Sequence, residues 1–118
     1  MSPHRANIVN LLNLIASKSD QLDYQKRAPV NVANELVNQW FGDFYHPTDE
    51  LFKSEFSNEE LASLRDFDAY YEVRHAMLPN SLDEMLKTKG WQEMMHFARE
   101  VLDAHGWRGS EARYDVSD

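Results

Sequence analysis

An all-α fold, a single compact helical bundle of about four main helices plus two short ones, follows from three features of the sequence. No stretch carries the sustained apolar alternation of a strand, and β-branched residues are few. Apolar side chains recur instead at the spacing that lines one face of a helix. Where these stripes break, the chain places residues that cap or stop helices.

Ser2 before Pro3 is an N-cap with proline at the first helical position, where its missing N–H leaves no bond unmade. From there Ile8, Leu11, Leu12, Ile15 and Leu22 form one stripe, and Ala28, pushed out of the α region by Pro29, ends the helix. Asn31 caps a second helix in which Ala33, Leu36, Val37, Trp40, Phe41 and Phe44 share an arc. Pro47 and Thr48 open a short helix through Lys53. Ser57 and Glu60 form a capping box, with Phe56 and Leu61 placed as its hydrophobic staple. The helix they start is expected to run to Leu78 and stop at Pro79.

Ser81 and Glu84 repeat the capping-box spacing for a short helix, SLDEMLKT. The last helix spans Lys89 to His105, with Gly106 where a left-handed residue belongs and Trp107 able to fold back on Leu102. Residues 1–107 are therefore read as one helical domain, and 108–118 as a polar, flexible C-terminal tail.

Composition narrows the function. The chain has no cysteine, which excludes a disulfide scaffold, a thiolate zinc site and a cysteine nucleophile, and suits a cytoplasmic location. Three asparagines interrupt the apolar run of the first twenty residues, which reads as a folded helix and not as the apolar core of a signal peptide. No apolar stretch approaches the ~20 residues needed to span a bilayer, so no membrane association is expected. Basic residues are neither clustered nor interleaved with aromatics, so no nucleic-acid partner is expected. A Gly-rich phosphate loop and a Gly-x-Ser-x-Gly elbow are both missing, and no cofactor is expected.

Charge is uneven along the chain: about +2 over residues 1–28, −7 over 29–78 and −3 over the rest. The acidic middle holds the most directional feature, WFGDFYHPTDELFKSEFSNEE from Trp40 to Glu60. Aromatic residues stand there among Asp43, Asp49, Glu50, Glu55, Glu59 and Glu60, with Lys53 the one basic residue of the stretch. A segment too apolar for a solvated tail and too acidic for a core implies a structured, negatively charged surface. Its neighbours cannot all face one core, so Phe41 or Tyr45 is expected to be exposed beside the acids, as an anchor within a charged rim.

The resulting expectation is an interaction domain that binds or inhibits a basic protein. Asp43, Asp49, Glu50, Glu55 and Glu59 would steer the partner, and Phe41 and Tyr45 would anchor it. The segment HPTDEL after an aromatic helix resembles the acidic face of colicin-type immunity proteins, which work this way. The paired tyrosines before a proline that mark that family are not at the expected place. Tyr70–Tyr71 lie inside a long helix, well ahead of Pro79, and membership is not assigned.

A second expectation is chemical. Glu72–His75 and Glu93–His96 have the spacing of the Glu-x-x-His pairs in di-iron bundles. Helical geometry sets Glu93 and His96 opposite the apolar arc of the last helix, which argues against that site. Asp68, Glu72 and His75 gather on one edge of the fourth helix. They read either as an Asp–His–Tyr hydrogen-bond network or as a metal or general-base site completed by another helix. With no enzyme motif present, catalysis is the weaker alternative. A third is self-association through the Trp40–Tyr45 patch, leaving monomer or homodimer open. Of the other histidines, His105 is expected to pack and cap the last carbonyls, His46 to be a loop residue and His4 to be solvated. Met77, Met85, Met94 and Met95 read as core filler.

Overall fold

The computed structural model describes residues 3–109, and every regular element among them is helical. In order these are α1 (Pro3–Ala16), α2 (Lys18–Arg27), α3 (Val32–Asn38), a π-helical segment (Gln39–Phe44), α4 (Glu50–Ser54), α5 (Asn58–His75), α6 (Leu82–Met85) and α7 (Lys89–His105). The expected all-α bundle is what the chain forms. No helix among the described residues is long and apolar enough to cross a membrane.

The last helix is the axis of the bundle. Its arc of Trp91, Met94, Met95, Ala98, Val101 and Leu102 is buried, and it packs against α1 on one side and α5 on the other. Ile8, Leu12 and Ile15 of α1 and Leu64, Phe67 and Tyr71 of α5 meet it in one continuous core. Each of these side chains stabilises the fold by roughly 1.5–3 kcal/mol through burial.

The first helix does not run unbroken to Ala28. It ends at Ala16, and Ser17, extended at φ −123° and ψ 109°, accepts from the Asp20 N–H to cap a separate α2. The break shifts the helical phase, so Gln21 turns into the core and Leu22 is only half-buried. Gln21 closes the junction. Its Nε2 donates to the Leu14 and Ile15 carbonyls at 3.1 and 2.8 Å, and its Oε1 accepts from Trp91 Nε1 at 3.1 Å. Arg99 Nη1 donates to the Ala16 carbonyl at 2.6 Å. Carbonyls orphaned by the end of α1 are thus paired by side chains from two other helices.

The caps read at Asn31, Ser57 and Ser81 are present, Ser81 through its hydroxyl alone, whereas the short helix expected to open at Pro47 and Thr48 starts at Glu50 with Asp49 as its cap. Ser57 and Glu60 make both halves of the capping box, at 3.1 and 2.8 Å. Asn31 and Ser81 cap α3 and α6, and Thr88, which carried no expectation, caps α7. After α7, Gly106 adopts φ 69°, and Trp107 N–H donates to the Leu102 carbonyl at 2.7 Å in a Schellman ending. The helix expected to run to Leu78, α5, ends earlier, at His75; Met77 and Leu78 continue only as turns onto the Arg74 and His75 carbonyls. Arg108 and Gly109 are held by the body of the protein and not free. Arg108 makes two bonds to Asp103, and Gly109 N–H donates to Asn13 Oδ1 at 2.8 Å. The Ser2 cap and the tail over 110–118 lie outside the described residues.

Candidate functional site

The aromatic-acidic segment was the sharpest feature of the sequence, and its winding overturns part of that reading. In an α-helix Trp40 and Tyr45 would project roughly 140° apart. The segment is instead π-helical: Tyr45 N–H donates to the Trp40 carbonyl at 3.2 Å, five residues back. The wider turn brings residue i+5 over residue i, and the two rings stack at 4.6 Å with planes 14° apart. Phe41 lies 5.0 Å from Tyr71 and 4.5 Å from His75 between ring centroids.

Trp40 is fully buried, and Phe41, Phe44 and Tyr45 are half-buried against the core. Phe41 and Tyr45 are therefore not exposed anchors. Phe41 is held against Tyr71 and His75, and Tyr45 belongs to a run of rings that continues through Phe52 and Phe56. Burial, and then the nearby Asp68 charge, push the Tyr45 hydroxyl up to about 12.

The acids of the segment stay outside. Asp43, Asp49, Glu50 and Glu59 are exposed, and Glu55 is half-buried. His4, expected to be solvated, packs beside one of them: its ring lies 5.5 Å from Phe52 and 6.0 Å from His46, and its Nε2 lies 3.8 Å from Asp49. His46 Nε2 donates to the Asp43 carbonyl at 2.7 Å. Asp49 also caps α4, accepting from the Leu51 N–H.

Arg5 bounds this face. Its guanidinium makes a bidentate pair with Glu60 at 2.9 and 3.0 Å and donates to the Glu55 carbonyl, while its backbone N–H donates to Glu55 Oε1. The same guanidinium lies 5.7 Å from the Phe56 ring and 5.2 Å from that of Trp107. The Arg5 bond holds the Glu60 carboxyl below its ordinary range. Glu55 is thereby tied to the first turn of α1, which occupies one of the five carboxylates assigned to steering. Arg5 was invisible as a member of this face because it lies fifty residues away in sequence.

Asp68, Glu72 and His75 do not converge. Asp68 Oδ1 accepts from Trp40 Nε1 at 2.9 Å, the partner that a buried indole requires. His75 Nε2 lies 3.8 Å from Glu72, and its ring packs at a tilt against Phe41. The Tyr71 hydroxyl is buried with no hydrogen-bond partner, so the Asp–His–Tyr network does not form. Glu93 pairs with Arg74 at 3.1 Å, and the exposed His96 pairs with Glu100 at 3.1 Å. Among the described residues no three His, Asp or Glu side chains are grouped to hold a metal ion.

Two other expectations change. His105 packs on the Trp107 ring at 4.9 Å, but its Nε2 bonds Ser63 Oγ at 2.9 Å and not the last carbonyls. Met85, Met94 and Met95 fill the core, whereas Met77 is 83% exposed. With Tyr70 at 43% and Val73 at 72%, it forms an outward apolar stripe on α5 and the turn that follows it. The helical period that marked the inner arc of α5 also contained this second line. A groove of about 420 Å³ runs beside it, between α5 and α7.

Compared with known protein families, with curated proteins and with solved structures, the chain matches none of them.

Proposed function

We propose that this chain is a small acidic interaction domain that binds, and by binding inhibits, a basic protein partner, working in the cytoplasm. The observation that supports the reading is the division of labour in the segment Trp40–Glu60. Its rings turn inward, with Tyr45 stacked on Trp40 and edge-on to Phe52, while Asp43, Asp49, Glu50 and Glu59 remain exposed. Together with Glu55 and Glu60, six carboxylates stand against Arg5 and Lys53, an excess of four negative charges with histidines counted neutral. Charges held on a rigid backing lose little freedom when a cationic surface docks, and an uncompensated field accelerates the encounter. The contact is electrostatic steering onto a preformed surface, without the aromatic anchors that the sequence suggested. The absence of cysteine fits a reducing compartment.

The test is affinity capture from the source cell's lysate at low and moderate salt, with wild type and D43N/D49N/E59Q as parallel baits. Asparagine at position 49 still caps α4, so the triple variant keeps its fold. A basic protein captured by wild type, released by moderate salt and missed by the variant is the expected result. Equal capture by both baits would remove the acidic face from the function.

A further inference from the structure

We infer that the groove between α5 and α7 is the interface of a twofold homodimer of this chain. The two helices run antiparallel, as their contacts show: Arg74 meets Glu93, Tyr70 meets Phe97, and Ser63 meets His105. The outer surface of this pair carries Tyr70, Val73 and Met77, exposed by 43, 72 and 83%. The main groove, of about 420 Å³, continues past Phe97 and Glu100 into a second hollow of about 180 Å³. Three large apolar side chains in line on one helix and its closing turn form an exposed apolar patch, and a contiguous patch of this kind is a candidate contact surface.

The charges along the groove indicate what covers it. Lys89 and Arg74 lie at one end, although Glu93 neutralises part of that charge. Asp66 and Glu100 lie toward the other end, both exposed. A surface that is basic at one end and acidic at the other complements its own copy after a half-turn, the arrangement of an isologous interface.

The geometry is consistent with the positions of the apolar residues. Lys89 and Glu100 lie roughly 16 Å apart along α7, at 1.5 Å per residue. Their midpoint is level with Val73, given that Arg74 faces Glu93 and Tyr70 faces Phe97. Pairing Lys89 with Glu100 of the second copy therefore sets Val73 near its counterpart on the axis. Met77 then comes over the rings of Tyr70 and Phe97 in the other copy, a contact that a thioether favours. The interface uses none of the carboxylates of the acidic face, so it stands or falls separately from the proposed partner binding.

Sedimentation equilibrium from micromolar to millimolar concentration tests it, with thermal melts confirming that each variant folds. Wild type is expected to dimerise with concentration. V73E and M77E, at exposed positions, are each expected to raise the dimer dissociation constant at least about tenfold. K89E and E100K alone each place like charges together and weaken the dimer, whereas K89E/E100K restores it. Mixing the two single variants gives a heterodimer stronger than either homodimer. A wild type that stays monomeric at millimolar concentration overturns the inference. So does a dimer indifferent to V73E and M77E, or one that the double charge swap fails to restore.

Discussion

Two regions of this molecule are built from similar residues and use them in opposite ways. In the segment Trp40–Phe56 the aromatic side chains all turn inward, and the charges that separate them in sequence are left outside. On α5, a regular helix, and the turn that follows it, the apolar residues form two lines: Leu64, Phe67 and Tyr71 inward, and Tyr70, Val73 and Met77 outward. The first region relaxes its winding to gather its rings; the second keeps a helical period and leaves apolar surface exposed. Density of apolar residues therefore does not locate the exposed patch. The local winding decides which side chains reach the core.

The largest expected effect separates the two directly. Trp40→Ala removes a fully buried ring and leaves Asp68 without its indole donor, so it is expected to cost about 3–5 kcal/mol of stability. Val73→Ala, at a 72% exposed position, is expected to stay within about 0.5 kcal/mol of wild type in dilute monomer. Urea unfolding of both variants checks the contrast. Similar losses would mean that the inward and outward assignments are not what distinguishes these regions.

A smaller effect concerns what holds the acidic face in place. Arg5→Ala removes the bidentate bond to Glu60, a bond to the Glu55 carbonyl and the packing over Phe56 and Trp107. About 2 kcal/mol is expected, because both partners are largely shielded and the bonds are charge-assisted. The pH dependence follows from the lowered carboxyl of Glu60. A group whose folded value lies below its unfolded one stabilises fully above the unfolded value, and that contribution disappears as pH falls through the folded one. The difference in stability between wild type and Glu60→Gln is thus largest above pH 4.5, its ordinary value, and shrinks below it. Unfolding curves at several pH values measure this, and a constant difference would show that the pair does not carry the acid sensitivity.

How far the sequence announced these regions depended on the range of the interactions. The capping box of Ser57 and Glu60, the Schellman ending at Gly106 and the inner arc of α7 are local, and each was legible. The break at Ser17 was also local, since Ser17 and Asp20 have capping spacing, but the apolar run to Leu22 masked it. Gln21 could not be recognised as a core residue, because its partners Trp91 and the α1 carbonyls are fixed only by packing. The π-helical segment was hidden for another reason. Its cause is a conflict, four rings that one α-helical face cannot hold, and the conflict was visible while its resolution was not. Arg5 joined the acidic face only through the docking of α1 against the start of α5.

The smallest effect tests the seam between the two regions, where Tyr70 and Tyr71 stand side by side, one exposed and the other buried. Tyr70 is exposed beneath the Arg74 guanidinium, whose central carbon lies 3.9 Å from the ring centroid. Tyr71 is fully buried among Phe41, Phe67 and Trp91, and its hydroxyl has no hydrogen-bond partner. Burial raises the pKa of that hydroxyl well above the ordinary 10, so it is neutral at pH 7. A neutral hydroxyl taken from water without a partner opposes folding, while the ring around it contributes burial and packing. Tyr71→Phe keeps the ring and removes the opposing group. It is expected to leave stability unchanged or to raise it by up to about 1 kcal/mol, as measured by urea midpoint. Tyr71→Leu loses the ring contacts and is expected to destabilise. If Tyr71→Phe were instead to cost more than about 1 kcal/mol, the hydroxyl would have to be making a bond across the seam, and the two sides of α5 would be coupled.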